Sequence, residues 1–558
     1  MPVHLSVLVQ TPAHSGIGGP LTYLSEEALA LGTLVRVPLG QRELLGIVWT
    51  PPPDTKDLVT ADKPVRLRAI AGILEGLAPL RPSWQALVRF TASYYQRSEG
   101  EVALAALPPS LRELSPVQLT RRLQRKAGST KGKAKGTEPS LTPLPAPEAL
   151  GAPPQGLALT TEQEAVLGQI ENQKGPFLLF GSTGSGKTEV YLQAVQRLLQ
   201  AEPMAQALVM VPEINLTPQL EQRFRQRFEP WLGQGCVVAM HSAMTPAQRL
   251  ASWLAAHSGQ ARMVLGTRMA VLASLPHLRL IVVDEEHDTS YKQGEGVLYH
   301  ARDMAVLRAS ILGCQVVLSS ATPSLESWAN AQAGKYTRID LGARFGVAEL
   351  PAMHTIDMRA QKLPADRWIS DPLAQAVETR VAKGEQSLLF LNRRGFAPVT
   401  LCRACGHQVG CDDCDARMVE HRFLKRLVCH QCGATKPIPT ACPTCGVVGR
   451  MAPVGPGVER LAEEVVARFP EARLAVLSSD LFTSARALKE EIQRIAEGAA
   501  DIIIGTQIVA KGHNFPLLTL VGVIDADLGL QGSDLRAAER TFQLIRQVAG
   551  DRKSTRLN

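Results

Sequence analysis

From about residue 159 onward, short apolar runs that end in polar or glycine-rich tips alternate with stretches whose apolar residues recur at helical spacing. Phe177 to Phe180 is one such run; it precedes GSTGSGKT and then EVYLQAVQRLLQ, which has a 3.6-residue period. The pattern returns in ALVMVPEINLTPQ, in MVLGTRMAVL (263 to 272), in LRLIVVDEEH and in QVVLSSATPSLES. It returns again in LLFLNRRGF (388 to 396), DIIIGTQIVAKGHNFP (501 to 516) and LVGVIDAD. Apolar strands alternating with helices predict an α/β chain with buried parallel sheets. Residues 1 to about 105 read differently: HLSVLVQ, TLVRVPLG and LLGIVWT are split by Gly-Gly-Pro and Pro-Pro-Pro. That spacing predicts a small β-rich domain with a helical tail, SWQALVRFTASYYQ.

Length and charge sharpen this outline. A chain of 558 residues has room for three to five domains. Sixty Lys and Arg against 52 Asp and Glu give +8, compatible with nucleic acid without demanding it. No cationic start followed by an apolar core marks a secretory signal, and no apolar run reaches membrane-spanning length. The expected location is the cytoplasm, with no membrane partner. Between Arg121 and Lys135, RRLQRKAGSTKGKAK carries seven basic residues and no acid, with prolines following. It reads as a solvated linker or as a linker that adds phosphate contacts.

The chemistry centres on Gly181, Ser182, Thr183, Gly184, Ser185, Gly186, Lys187 and Thr188. Strand, glycine-rich turn and helix in that order distinguish a P-loop from a chance glycine turn. Backbone N–H groups converge on phosphates there, Lys187 reaches the β- and γ-phosphates, and Thr188 helps hold Mg²⁺. ATP and Mg²⁺ are the expected ligands. Thr160 and Gln163 fit a capping box; Gln163 also stands where it would read the adenine edge, although capping alone explains it. Asp284 and Glu285 end a buried strand, where α/β sheets place ligands; Asp284 would hold Mg²⁺ and Glu285 activate water. Eight of the ten cysteines form four CxxC pairs within 44 residues: Cys402/Cys405, Cys411/Cys414, Cys429/Cys432 and Cys442/Cys445. Two structural Cys₄ sites holding two Zn²⁺ fit this set, the inner pairs sharing one ion and the outer pairs the other. The rival is a redox CxxC, which four clustered pairs disfavour. His407 and His430 lie nearby and are not needed as ligands.

The order P-loop, VPEINLTPQ, GTR, DEEH, SSATP resembles the first motor lobe of superfamily 2 helicases, and LNRRGF, GPGVER and GTQIVAKGHNFP resemble the second. With the cysteine insertion, DEEHDTSYKQ and YHARDMAVLRA, nearly the whole chain is similar to the PriA family of bacterial primosomal replication-restart helicases, also called primosomal protein N′. The resemblance implies two RecA-like lobes, a zinc-binding insertion in the second, and a β-rich N-terminal DNA-binding domain. It implies an ATP-driven 3′-to-5′ DNA helicase that recognises stalled and branched forks and starts primosome assembly. Its partners would be branched and single-stranded DNA, single-strand-binding protein, other primosome proteins and the replicative helicase. It implies an aromatic-rich loop coupling DNA to hydrolysis, carried here by Tyr291, Lys292, Tyr299 and Arg302.

The expected boundaries are 1–105 for the N-terminal domain, 106–158 for a linker or degenerate winged helix, 159–345 for lobe 1 and 346–558 for lobe 2, with the zinc insertion at 399–450. Val297 stands where the family carries a tryptophan, and Leu21, Thr22 and Tyr23 replace its Phe-Asp-Tyr-like turn. After RQVAG the family continues into a Gly-Arg-Ala-Gly-Arg-like run, whereas DRKSTRLN follows here. Residues 551–558 therefore read as a truncation or frame error, with poor hydrolysis expected of this version because an arginine finger supplies about 10³ to 10⁵ in rate. A fork-binding scaffold with a dispensable motor, and RNA as the substrate, are the competing readings.

Overall fold

The computed structural model describes the chain apart from residues 1, 12–18, 52–66, 125–152, 154–157, 183, 213–217, 343–351, 362, 365–366, 392–398, 403, 415–417, 422–425, 430–431, 455–457, 478–481, 483–484, 507–514, 525, 532–534 and 551–558. It divides into two compact units, residues 1–181 with 186–343 and residues 344–558 with 182–185.

The first unit opens with an antiparallel sheet of β1 (Val3–Val9), β2 (Leu21–Ser25), β3 (Leu34–Leu39), β4 (Arg42–Thr50) and β5 (Gly72–Ile73), in the order β2-β1-β4-β3-β5. Side chains alternate across a strand, so Leu5, Val7, Val9, Val35, Val37 and Val48 close a core on one face. Leu8, Leu34, Leu45, Ile47 and Trp49 point the other way, into helices α1 (Pro82–Tyr94), α2 (Glu99–Ala105), α3 (Pro109–Glu113) and α4 (Pro116–Gln124). Gly100 of α2 lies so close to β1 that a Cβ would stand 2.2 Å from the Val9 carbonyl oxygen. Residues 106–124, read from sequence as linker or degenerate winged helix, thus carry two helices, α3 burying Leu111 and α4 burying Leu119. Most of the basic, proline-rich stretch lies outside the described residues.

Lobe 1 follows: α5 (Thr161–Asn172), β6 (Phe177–Gly181), α6 (Lys187–Ala201), β7 (Gln206–Met210), α7 (Pro218–Leu232), β8 (Val237–Met240), α8 (Pro246–His257), β9 (Met263–Gly266), β10 (Leu278–Asp284), α9 (Ala301–Leu312), β11 (Gln315–Ser320), α10 (Leu325–Gln332) and β12 (Thr337–Leu341). All seven strands are parallel, in the order β12-β6-β11-β10-β7-β9-β8. Helices cover both faces, which is why strands such as Gln206–Met210 are buried at every position. The N-terminal helices share one hydrophobic core with this lobe. Trp84 Nε1 donates to the Leu272 carbonyl at 2.7 Å, and buried His257 reaches the Ala78 carbonyl at 2.8 Å.

The second unit has α11 (Asp371–Ala382), β13 (Gln386–Leu391), a small antiparallel sheet of β14 (Val399–Cys402), β15 (Val419–His421), β16 (Arg426–Val428), β17 (Thr435–Pro437) and β18 (Met451–Val454), and then α12 (Val458–Arg468), β19 (Leu474–Leu477), α13 (Ala485–Ala496), β20 (Ile502–Gly505), β21 (Leu518–Ile524) and α14 (Ala537–Gly550). Strands β19-β20-β13-β21 form a parallel sheet, and the small sheet, ordered β17-β16-β15-β14-β18, interrupts it after β13. Two parallel lobes, an antiparallel N-terminal sheet and a cysteine insertion are the fold class expected from sequence.

Candidate nucleotide and metal sites

Strand order assembles the nucleotide site. The P-loop follows β6, DEEH follows β10 and the SSAT stretch ends β11, which lies between them. Three segments far apart in sequence therefore meet at neighbouring carboxyl ends, where parallel sheets bind ligands. Gly186 has φ +83, and a Cβ there would stand 2.3 Å from Gln163 Nε2, so only glycine fits. Thr160 and Gln163 make the reciprocal capping box: Thr160 N donates to Gln163 Oε1 at 3.0 Å and Gln163 N to Thr160 Oγ1 at 3.2 Å. That spends the Gln163 oxygen on the cap and leaves its amide nitrogen against the P-loop.

Lys187 is buried at the start of α6, its Nζ donating to the Gly181 carbonyl at 2.8 Å, with Thr188 next to it in the first turn. Gly184 takes φ +81, and Ser185 N donates to Ser182 O at 3.1 Å. Thr183 lies outside the described residues. At the end of β10, burial and then the adjoining Glu285 charge push Asp284 up to about 6, against the pull of Lys187. Glu285 has the left-handed φ +46, a strained conformation for a residue with a side chain. Two crowded acids opposite a lysine are a donor set that fits a divalent cation, whose charge would relieve the repulsion.

Several residues the sequence reading did not single out complete the site. Tyr191, one helical turn after Lys187, donates from Oη to Asp284 Oδ2 at 3.1 Å. His287 Nδ1 pairs with Ser320 Oγ at 2.8 Å, tying DEEH to SSAT. Glu286 is fully buried yet saturated: it accepts from Ser324 N at 2.7 Å, Ser324 Oγ at 3.0 Å, Ser327 Oγ at 2.8 Å and Arg302 Nη1 at 3.2 Å. The i, i+4 spacing of Lys187 and Tyr191 was the one available signal.

Of the four expected coupling residues, Lys292 is exposed and the other three are buried. Tyr291 Oη donates to the Asp284 carbonyl at 2.7 Å, Tyr299 Oη to the Arg268 carbonyl at 3.3 Å, and Arg302 pairs with Glu286. Val297 is 8% exposed and packs in the core, and Tyr23 is buried with its Oη donating to the Pro38 carbonyl at 3.2 Å. The lobe 2 stretches LNRRGF, GPGVER and GTQIVAKGHNFP fall largely outside the described residues, as do His430 and 551–558.

The cysteines gather into two clusters. Sγ atoms of Cys402 and Cys445 are 3.7 Å apart and those of Cys405 and Cys442 3.6 Å; Cys411 and Cys432, and Cys414 and Cys429, are each 3.5 Å apart. Within each group of four, all sulfurs lie within 4.8 Å of one another. A tetrahedron with Zn–S near 2.3 Å has edges of about 3.8 Å, whereas a disulfide needs about 2.05 Å. The clusters fit metal and not disulfides. Lys436 Nζ caps the inner loop, donating to Gly410 O at 2.8 Å and Asp412 Oδ1 at 3.0 Å.

Three family models match the chain: the 3′ DNA-binding domain of PriA over residues 6–108, the DEAD/DEAH box helicase domain over 160–330, and the Cys-rich region domain of the PriA DNA helicase over 411–437. Replication restart protein PriA of Rickettsia felis is 38% identical over 539 residues, covering 95% of this chain and 76% of the relative. The Haemophilus influenzae protein of the same name is 38% identical over 576 residues (94% and 77%), and that of Bacillus subtilis 41% over 400 residues (71% and 49%). At this identity over nearly its whole length, the chain belongs to the PriA family of replication restart proteins.

Proposed function

We propose that this chain is an ATP-dependent DNA helicase that binds branched and single-stranded DNA and initiates replication restart. The observation that carries the reading is the run of neighbouring carboxyl ends β6, β11 and β10, which sets Lys187, the Ser320–His287 pair and the two acids Asp284 and Glu285 side by side. In this reading Gly181 to Thr188 cradle the triphosphate, and Lys187 leaves the Gly181 carbonyl for the phosphates. Asp284 and Thr188 would hold Mg²⁺, which supplies charge neutralisation at the transferred phosphoryl group. Tyr191 keeps the Asp284 carboxylate oriented, and Glu285 is placed to accept a proton from the attacking water.

Coupling to DNA runs through the protein interior in this proposal. Residues 292 to 300 form a closed loop, with Gln293 N donating to the Tyr299 carbonyl at 2.8 Å. Its two ends are anchored on the hydrolytic strand, Tyr291 on the Asp284 backbone and Arg302 on Glu286. A shift of this loop reaches Asp284 and Glu286, the neighbours of Glu285 on either side, within one hydrogen bond. The 3′-to-5′ polarity is what membership of the family implies, and the cysteine clusters would hold two structural Zn²⁺. In this proposal residues 1–105 serve as the DNA-binding domain, 159–345 as lobe 1 and 346–558 as lobe 2, with the zinc insertion at 399–450. Primosome proteins, single-strand-binding protein and the replicative helicase are its partners in the cytoplasm, at the nucleoid. Among the described residues no helix is long and apolar enough to cross a membrane.

The test is Lys187→Ala. Hydrolysis and unwinding should fall at least about a hundredfold while fork binding stays within a factor of two or three. Unwinding that survives the substitution removes the P-loop from the mechanism. Stimulation of the ATPase by single-stranded DNA over RNA of equal length decides the substrate.

A further inference from the structure

Helix α6, whose first turn holds Lys187 and Thr188, carries a buried polar stripe on the side met by α7. Glu189, Gln193 and Gln196 stand at i, i+4 and i+7, so they line one face of the helix. Arg227 of α7 meets that face with its whole guanidinium. Nη1 donates to Glu189 Oε1 at 2.6 Å, and Nε and Nη2 donate to Gln196 Oε1 at 3.3 and 3.1 Å. Gln193 Nε2 donates to the same Glu189 oxygen at 3.1 Å. One arginine thus spans two turns of the helix that begins at Lys187.

The pair is withdrawn from water: the Arg227 side chain is 14% exposed and that of Glu189 10%, and the flanking Phe224 and Phe228 are fully buried. A buried ion pair is weak evidence for stability, because apolar side chains of similar volume pack in such places without loss. Arg225, two residues earlier on α7, shows the ordinary alternative, pairing with Glu221 and Glu229 of its own helix. Arg227 instead reaches the helix whose N-terminal end is expected to meet phosphate. Glu189 directly follows Thr188 there. A bare carboxylate at that position would oppose a triphosphate in a region that water screens poorly. The other side of the same helical turn is held by Tyr191 on Asp284.

We infer that Arg227 is a positioning residue of the nucleotide site: by neutralising Glu189 it removes a charge that would repel the triphosphate, and so sets nucleotide affinity from outside the P-loop. Arg227 touches no substrate and acts only through Glu189. The inference rests on the nucleotide-binding reading above and adds to it a residue from α7 that belongs to none of the motifs. Glu189 and Arg227 are 38 residues apart and meet only because α6 and α7 pack together.

The experiment measures equilibrium binding of a fluorescent ATP analogue with Mg²⁺ to the whole 558-residue chain, so the readout does not depend on turnover. Arg227→Met keeps much of the side-chain volume and uncovers the Glu189 charge; affinity should fall about tenfold. Because that variant also leaves a buried charge unpaired and destabilises the fold, two more separate charge from folding. Arg227→Lys keeps the charge and gives up the fork, and should bind within about threefold of wild type. The double variant Glu189→Gln with Arg227→Met removes both charges and should return to within about threefold of wild type. If the double variant stays as weak as Arg227→Met, or if lysine is as weak as methionine, the pair serves packing alone and the proposal is overturned. Wild-type affinity in Arg227→Met overturns it as well. Lys187→Ala tests the reading beneath: an analogue that binds wild type and Lys187→Ala equally brings down the P-loop assignment. Binding that depends on Lys187 and is indifferent to Arg227 removes only the positioning residue.

Discussion

The seven-stranded sheet of lobe 1 and the five-stranded sheet of the cysteine insertion hold their strands together by different means. In lobe 1 both faces of the sheet are covered, and each has its own extensive apolar core. In the insertion the strands are three or four residues long, Thr435 and Pro437 of β17 are exposed, and the core is Val409, Met418, Leu427 and the ligand Cys429 itself. A sheet that small cannot offset the entropy of its own ordering by apolar burial. A metal ion held by each group of four sulfurs would make up the difference, so stability in one region is hydrophobic and in the other would rest on that metal.

The sharpest way to break the contrast is to take the metal away. Structural zinc contributes on the order of 10 kcal/mol to folding of such modules. Chelation or Cys429→Ser should therefore unfold residues 399–454, seen as lost hydrogen-exchange protection, with lobe 1 protection and nucleotide affinity unchanged. Elemental analysis should give two zinc ions per chain. Exchange that rises equally in lobe 1 would show that the two regions are not separately stabilised.

A smaller effect tests the hydrophobic side. Trp84 is 3% exposed and bridges the N-terminal helices to lobe 1. Trp84→Ala should cost about 3–5 kcal/mol and lower the unfolding of the N-terminal sheet and lobe 1 together, because they share one core. Two separate transitions, with only the N-terminal one moved, would divide that core.

The smallest effect is one of pH. Burial depresses His257 from 6.5 to about 4, even though Nε2–H donates to the Ala78 carbonyl and Ser274 Oγ lies 2.9 Å from Nδ1. Between those values the unfolded chain binds a proton that the folded chain refuses, so the contribution is complete above pH 6.5 and lost as pH falls toward 4. It amounts to about 3 kcal/mol. Urea unfolding of the first unit should show this slope, and His257→Gln should flatten it; an unchanged slope would place the acid sensitivity elsewhere.

Much of this was legible in spacing. The P-loop, DEEH and SSAT stretches stand at the ends of apolar runs because parallel strands must be apolar throughout and must end where the chain turns to a polar tip. The CxxC spacing predicted both nested clusters, since two sulfurs three residues apart can grip one ion without help from the rest of the fold. Residues 106–124 were harder: their proline content resembles a linker, and only burial of Leu111 and Leu119 against neighbouring elements makes them helical and ordered. Tyr291 and Tyr299 were expected in a loop that couples DNA to hydrolysis; that their rings are buried and their hydroxyls donate to backbone carbonyls is not written in the sequence around them. Glu286 looked like one more acid in a cluster; 38 residues separate it from the Ser324 that saturates it. Local periodicity settles which segments become strands and which residues sit at their tips, because it acts over one or two turns of chain. The placement of β11 between β6 and β10 and the fusion of the N-terminal helices to lobe 1 depend on packing between segments dozens to hundreds of residues apart, and only the folded molecule decides them.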